Sequence, residues 1–202
     1  MRKIDQQSST QPTLFCILGP NGAGKTTFYQ QVLQPRLGIP FVNADAIQKN
    51  ELTPEVEAAY EAAIIAAERR HLLIQARRSF ITESTCSHSS KIDLLIQARN
   101  AAFFIIIFHI DINSPRLAVA RVTERVKTGG HPVPADKIEQ RYERNKSLIK
   151  QAVLMADRGY VYDNSGLHTH PKLLARYQQG QRVFQAKQLP AWFTQLYKPV
   201  NQ

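Results

Sequence analysis

Short apolar runs alternate with longer amphipathic segments along this 202-residue chain. Apolar runs of four to eight residues that are bounded by turn residues are typical of strands. The run at residues 101–108 is rich in Phe and Ile, as in a strand that is buried on both faces. We predict five strands, at residues 13–18, 41–43, 80–82, 102–110 and 160–162.

Helix-forming segments separate these strands. We predict helices at residues 25–33, 53–78, 90–99, 115–127 and 135–158. The second helix should begin at Thr53, which can cap it, followed by Pro54 and Glu55, which favour a first turn. Weaker patterns predict a strand near 182–185 and a short helix at 190–197. This alternation predicts a three-layer α/β fold, with a parallel sheet of about five strands and helices on both faces.

The composition, with 43% hydrophobic and 21% charged residues, is ordinary for a globular protein, and the length corresponds to about one domain. The longest apolar run is far short of the roughly 20 residues that span a bilayer, so we expect no membrane association. Residues 1–11 are polar, so we expect no secretory signal. The two cysteines, Cys16 and Cys86, cannot form a disulfide scaffold, which favours a reducing, cytoplasmic location.

Basic side chains are concentrated in the second half of the chain. Residues 1–113 hold 11 basic and 10 acidic side chains, whereas residues 114–202 hold 15 basic and 6 acidic ones. The formal net charge of the whole chain is +10. A basic half predicts an anionic ligand, which can be a nucleotide, a nucleic acid or an acidic protein.

A glycine-rich loop follows the first predicted strand. The segment Gly19-Pro-Asn-Gly-Ala-Gly-Lys-Thr26 fits the phosphate-loop pattern G-x-x-x-x-G-K-[ST] between a strand and a helix. Its backbone N–H groups would form an anion nest, Lys25 would reach the β- and γ-phosphates, and the Thr26 hydroxyl would hold Mg²⁺. We therefore predict binding of a nucleoside triphosphate. The predicted binding residues are Gly19, Pro20, Asn21, Gly22, Ala23, Gly24, Lys25, Thr26 and Thr27.

Two other classes of phosphate-loop protein lack support in the sequence. There is no Leu-Ser-Gly-Gly-Gln signature of an ABC ATPase and no Asn-Lys-x-Asp motif of a GTPase. Asp111 ends an apolar run as a Walker B aspartate does, yet it can equally cap the turn that follows. The sequence therefore favours the remaining class of phosphate-loop protein, which has a kinase-like nucleotide-binding fold.

Two acidic residues follow predicted strands, at the edge where parallel sheets place ligand groups. Asp45 comes just after the second strand and can accept the proton of an attacking hydroxyl, or can cap a helix that begins at Ala46. Glu83 ends the third strand and can hold a Mg²⁺-bound water or an acceptor hydroxyl, or can simply lie in a turn.

Four arginines flank a segment that contains two Gly and two Pro, at residues 128–134. Guanidinium groups on a closing helical lid would stabilise the charge that spreads over a transferred phosphoryl group. The alternative is solvated arginines that pair with Glu124 and Glu143. The four residues are Arg121, Arg125, Arg141 and Arg144.

Five motifs together resemble the small zeta-toxin-type P-loop kinases, over about residues 12–166. They are 19–27, Phe41-Val-Asn-Ala-Asp45, Ile81-Thr-Glu-Ser-Thr85, the segment 125–134, and Tyr162-Asp-Asn164. The resemblance implies the sheet order of nucleotide kinases and ATP and Mg²⁺ as cofactors. Since no linker or break in composition divides the chain, we predict a single kinase domain at 1–202, with a core at 12–166 and a C-terminal extension at 167–202. The resemblance also implies transfer to the 3′-hydroxyl of the amino sugar in UDP-N-acetylglucosamine, and a possible antitoxin partner.

The resemblance carries roles over by position. Lys25 and Thr26 match the phosphate-loop pair, and Asp45 matches the catalytic base. Glu83 matches the acidic residue after the third strand, and Arg125 matches the first lid arginine. The second lid arginine is assigned to Arg141, with Arg144 as its rival. The chain is shorter than the UDP-sugar toxins and its Gly-Gly-His-Pro lid differs from theirs, which leaves the acceptor open.

Other interpretations of the sequence have weaker support. A polynucleotide or nucleoside kinase, or a nucleotide-gated nucleic-acid-binding protein, would use the basic half, yet no stacking motif or helix-turn-helix is evident, so nucleic acid is not the expected partner. His168 and His170 alone do not predict a metal site. His131 is expected to be a solvated loop residue. Trp192 and Phe193 are expected to pack the tail against the core.

Overall fold

One mixed sheet of seven strands forms the centre of the computed structural model, which describes residues 11–53, 57–130, 132–166 and 169–198. The strands are β1 (Thr13–Leu18), β2 (Phe41–Val42), β3 (Phe80–Ser84), β4 (Phe104–Asp111), β5 (Arg158–Asp163), β6 (Lys172–Gln178) and β7 (Gln181–Gln185). Their order is β2-β3-β1-β4-β5-β6-β7. The first five strands are parallel, and β6 and β7 continue the sheet antiparallel.

The sequence predicts about five strands, two fewer than the sheet contains, although β7 lies where a weaker tail strand is predicted. The missed strand, β6, lacks a clean alternation of buried and exposed residues. Val161 pairs with Ala175 and Tyr162 pairs with Leu173, so Leu174 is an extra residue in a bulge. Leu174 and Ala175 are consequently both buried, and the period-two pattern is lost.

Helices cover both faces of this sheet. They are α1 (Lys25–Phe28), a π-helical turn (Tyr29–Leu33), α2 (Gln34–Leu37), α3 (Ala44–Glu51), α4 (Ala58–Gln75), α5 (Ser90–Asn100), α6 (Pro115–Lys127), α7 (Ala135–Met155) and α8 (Ala191–Leu196). The sequence predicts a helix that begins at Ala46 only as one of two alternatives for Asp45. The helix α3 does form and begins earlier, at Ala44, with Ile47 as its one buried apolar residue. The predicted cap residues Pro54 and Glu55 lie outside the described residues. The helix α7 stops before Arg158, which begins β5 instead by pairing with Ile106.

Alternate side chains of β1 enter two separate cores. Leu14, Cys16 and Leu18 pack with α4, α5 and α8, whereas Phe15 and Ile17 pack with α1 and α6. Burial on both faces is typical of a central parallel strand. The carboxyl end of β1 is thereby fixed between β3 and β4, where the glycine-rich loop begins.

The tail helix α8 packs against the first of these cores. Trp192 and Phe193 are buried there, which confirms the prediction of tail packing. The Trp192 indole Nε1 donates a hydrogen bond of 2.9 Å to Oδ1 of Asp163, at the end of β5. Within the described ranges, no helix is long and apolar enough to cross a membrane.

Candidate active site

The loop between β1 and α1 adopts a conformation that only glycine accepts readily at position 24. Gly24 has φ of 86°, and a Cβ there would lie 2.5 Å from Nδ2 of Asn164. That same Nδ2 donates a 2.8 Å hydrogen bond to the carbonyl oxygen of Ala23. Asn164, from the segment that follows β5, therefore braces the loop from outside.

Lys25 is buried at the start of α1. Its Nζ donates to the carbonyl oxygen of Pro20 at 2.9 Å and lies 4.0 Å from Oε1 of Glu83. Burial lowers the pKa of Lys25, and the nearby carboxylates of Glu83 and Asp45 oppose that shift. The lysine side chain therefore folds back over the loop. From this position its ammonium group would contact the oxygens of a phosphate bound in the loop.

Glu83, at the end of β3, joins the loop to the segment after β2. Thr26 Oγ1 donates to its carboxylate, 2.9 Å from Oε2, and Asn43 Nδ2 donates to the same oxygen at 2.9 Å. Burial raises the pKa of Glu83, while Lys25 and these two donors lower it. The net direction is upward, so folding makes this carboxyl group harder to ionise.

This shift predicts a pH-dependent stability. Since folding raises the pKa of Glu83, the folded state holds the proton more tightly, and the free energy of unfolding falls as pH climbs from about 4 through the raised value. In Glu83→Gln the group no longer titrates, so the stability of the wild type relative to the variant should fall with increasing pH. Thermal melts between about pH 4 and 8 measure it. Exposed Glu61→Gln is the control, and parallel wild-type and Glu83→Gln curves would contradict the prediction.

The donor set at Thr26 fits Mg²⁺. Mg²⁺ takes oxygen ligands and is usually bound by one or two carboxylates together with phosphate oxygens. Thr26 Oγ1 and the Glu83 carboxylate supply such atoms at the edge of the loop. Asp111 is placed differently, because its oxygens accept from Ile112 N and His109 Nε2 inside the protein. Within the described ranges, which exclude His168, no three or more His, Cys, Asp or Glu residues are grouped so that they could hold a metal ion by themselves.

Asp45 lies in the first turn of α3, and it is not the cap of that helix. The cap is Asn43, whose Oδ1 accepts from the N–H groups of Asp45 at 2.8 Å and Ala46 at 3.3 Å. The capping alternative for Asp45 is therefore wrong. Its exposed carboxylate lines the cavity and lies close enough to Lys25 and Glu83 to raise the pKa of both.

Three of the four candidate arginines line the same cavity. Arg121 donates to the carbonyl oxygens of Asn164 at 2.8 Å and Gly166 at 2.9 Å, which ties α6 to the segment that braces the loop. Arg125 and Arg141 line the cavity from α6 and α7. Arg144 is exposed and does not line it, which favours Arg141 as the second lid arginine. The other lid residue considered, His131, lies outside the described residues.

One cavity of about 790 Å³ brings these groups together, a size typical of ligand sites. The predicted residues that line it are Asn21, Gly22, Gly24, Lys25, Thr26, Thr27, Asp45, Glu83, Arg125 and Arg141. Gly19, Pro20 and Ala23 belong to the loop but do not line the cavity. Asn21 Oδ1 is buried without a hydrogen-bond partner among the described atoms, so the loop leaves a polar atom for a bound molecule. These positions fit a nucleotide, while the individual roles stay predictions.

Four residues of the site have no assigned role in the sequence-based prediction. Asn43 and Asn164 brace the loop and its acidic partner through hydrogen bonds, and both fall in motifs that drew attention to neighbouring residues. Arg70 and Lys91 also line the cavity. Arg70 is the one charged residue in the buried stripe of α4, a stripe that becomes visible only in the structure.

Residues 14–148, more than half of the chain, match the AAA domain family AAA_33. The chain belongs to this family. An uncharacterized protein of Haemophilus influenzae is 32% identical to it over 127 residues, which cover 61% of this chain and 88% of that protein. Membership of the AAA domain family agrees with the phosphate loop described above.

Solved structures share this fold at low sequence identity. The AvrRxo1-ORF1:AvrRxo1-ORF2 complex with ATP has a TM-score of 0.64 and 17% identity, over 85% of this chain and 60% of that one. The PezAT toxin-antitoxin system of Streptococcus pneumoniae gives 0.56 and 15%, over 96% and 80%. A putative kinase from Chloroflexus aurantiacus gives 0.52 and 21%, over 66% and 78%.

These likenesses confirm the predicted α/β fold of P-loop kinases for this member of the AAA domain family. The chain spans about 60% of the length of the AvrRxo1 chain that it matches. All three solved structures are at most 21% identical to this chain, so the likeness shows the fold. The resemblance to zeta toxins is therefore confirmed at the level of the P-loop kinase-like fold, and not for the zeta-toxin family in particular.

Proposed function

We propose that the protein is an ATP-dependent kinase that transfers the γ-phosphate to a hydroxyl group of a small acceptor. The observation that carries the proposal is the shared cavity. It places the phosphate-loop residues Lys25 and Thr26, the carboxylate of Asp45 and the lid arginines around one volume. A donor site, a base and mobile cations are the parts that phosphoryl transfer requires.

In this mechanism the loop backbone and Lys25 bind the β- and γ-phosphates. Asp45 accepts the proton of the acceptor hydroxyl as its oxygen bonds to the γ-phosphorus, and the bond to the bridging oxygen of ADP breaks. Arg125 and Arg141 stabilise the negative charge on the transferred group. Thr26 and Glu83 would hold Mg²⁺, which neutralises phosphate charge when it is bound.

The acceptor that we propose is a UDP-amino sugar or a related nucleotide-sugar, as in the zeta toxins that the sequence resembles. An antitoxin partner belongs to the same proposal, because both PezAT and the AvrRxo1 pair were solved as two-component systems. We also propose a cytoplasmic location and a single kinase domain over residues 1–202. The two buried free thiols and the packing of the tail helix on the central sheet support these last points.

Incubation with γ-labelled ATP and a panel of nucleotide-sugars, nucleosides and sugars tests the proposal. We expect label to transfer to an acceptor of the nucleotide-sugar class. Label that stays in ATP, or appears only as inorganic phosphate, across the panel would overturn it. Oligonucleotides with a free 5′-hydroxyl are included because of the basic half of the chain. Label on these alone would replace the proposal with a polynucleotide kinase.

A further inference from the structure

Part of the cavity lining comes from α4, the turn after β3 and the start of α5. We call this part of the cavity the acceptor lobe. Its polar lining consists of Arg70, Ser84, Thr85, Ser87 and Lys91. The alanines of α4 that face it leave space beside these groups.

Arg70 occupies an unusual position for a charged side chain. The buried stripe of α4 repeats every four residues, and Arg70 follows Ala58, Ala62 and Ala66 in it. Only 8% of its surface is exposed. Burial lowers the pKa of Arg70, and the thiol of Cys16 opposes this shift only in part. A buried charge without a counter-ion is costly and is rarely kept without a purpose.

No carboxylate among the described residues pairs with Arg70. Within the described ranges, Arg70 and Lys91 form no ion pair with an acidic side chain. Both side chains line the cavity, and the charge of Arg70 lowers the pKa of Lys91 after the larger effect of burial. The adjacent Arg69 shows the contrast, since it forms a two-pronged pair with Glu51 on the surface.

Hydroxyl groups complete the lining of the lobe. Ser84 Oγ accepts the N–H of Cys86 at 3.0 Å, which leaves its own proton for another acceptor. Thr85 and Ser87 share one hydrogen bond of 3.3 Å, so only one of their two protons is used. Two cations and several O–H donors that converge on one lobe match a phosphate group, which offers several acceptor oxygens and up to two negative charges.

We propose that the acceptor lobe binds a phosphate or diphosphate group of the phosphoryl acceptor through Arg70 and Lys91, assisted by the hydroxyls of Ser84, Thr85 and Ser87. The acceptor is then itself a phosphorylated molecule, and its reacting hydroxyl extends from this lobe toward Asp45. The inference rests on the proposed kinase function for the identity of the ligand as acceptor. The existence of an anion-binding site is inferred from the residues that line the acceptor lobe and does not depend on the proposed function.

Calorimetry on protein saturated with a non-hydrolysable ATP analogue and Mg²⁺ tests the site, because the phosphate loop is then already filled. The probes are inorganic phosphate, UDP-N-acetylglucosamine and N-acetylglucosamine. We expect saturable binding of the two phosphate-bearing probes, and weaker or no binding of the neutral sugar. Arg70→Met and Lys91→Met should each weaken phosphate binding about tenfold or more, since a charged hydrogen bond is lost. Arg69→Met is the matched control and should leave it unchanged.

Thermal melts separate binding from folding. Arg70→Met removes a buried, uncompensated charge, so its Tm should equal or exceed that of the wild type. If Arg70→Met fails to fold, Lys91→Met decides, because its side chain is less buried. Failure of the wild type to bind inorganic phosphate, or equal binding by the folded Arg70 and Lys91 variants, would overturn the proposal. Neither result depends on phosphoryl transfer. The experiment therefore distinguishes failure of the anion-site proposal from failure of the proposed kinase function.

Discussion

Replacement of Lys25 by Met should reduce ATP-dependent phosphoryl transfer about 10³-fold, with a smaller effect on protein stability. Lys25 Nζ is held by the Pro20 carbonyl and by Glu83, both at the phosphate loop. A buried, preorganised cation stabilises the charge that develops on the transferred phosphoryl group far more than a solvated one does. Single-turnover transfer to the acceptor identified in the labelled-ATP panel measures the effect.

The control for this prediction is Lys49→Met, an exposed lysine on the polar side of α3. It should retain wild-type transfer. In Lys25→Met the buried Glu83 loses its neighbouring cation, so the pKa of Glu83 should rise further and Tm at neutral pH should fall slightly. Transfer by Lys25→Met within tenfold of the wild type would mean that the loop does not hold the reacting phosphate.

The phosphate loop is the part of the site that the sequence predicts best, because its geometry is encoded locally. Glycine at position 24 is required by a positive φ and by the approach of Asn164, and the strand before the loop is a plain apolar run. The five parallel strands are predicted for the same reason. The clearest cases are β1 and β4, whose side chains enter both cores, so that each of these two strands is an almost unbroken apolar segment.

Features that depend on tertiary contacts escape such a prediction. The strand β6 carries a bulge that exists only through its pairing with β5, and α3 has a single buried apolar residue behind its Asn43 cap. Arg70 illustrates the point for the site. A charged residue within a helix is by default expected on its solvated face, and only the neighbouring alanines and the turn after β3 reveal that this one is enclosed.

The roles of Asp45 and Glu83 could be narrowed only with the structure. Both are acidic residues that follow strands, and sequence alone left each with a structural alternative. The hydrogen bonds of Glu83 to Thr26 and Asn43 place it at the loop, beside the hydroxyl that we propose as a ligand of Mg²⁺. Asp45 has no such bond from its carboxylate within the described residues, and it faces the cavity. One carboxylate therefore suits a metal ligand and the other suits a base.

Replacement of Asp45 by Asn should lower kcat about 10²- to 10⁴-fold, the usual contribution of a general base, while ATP still binds. The amide cannot accept the proton of the attacking hydroxyl, but it keeps the size of the side chain. Because Asp45 is a negative charge close to Lys25, its removal should leave ATP affinity unchanged or slightly stronger. Titration with ATP and steady-state kinetics together measure this split between binding and turnover.

Asp93→Asn, an exposed aspartate in the first turn of α5, is the matched control and should keep full activity. Asp45→Glu keeps a carboxylate but moves it by one methylene, so its kcat should lie between those of the wild type and Asp45→Asn. A kcat for Asp45→Asn within a few-fold of the wild type would exclude Asp45 as the base. Weaker ATP binding in that variant, with unchanged kcat, would instead assign Asp45 to the donor side of the cavity, and the acceptor hydroxyl would then require a different proton acceptor.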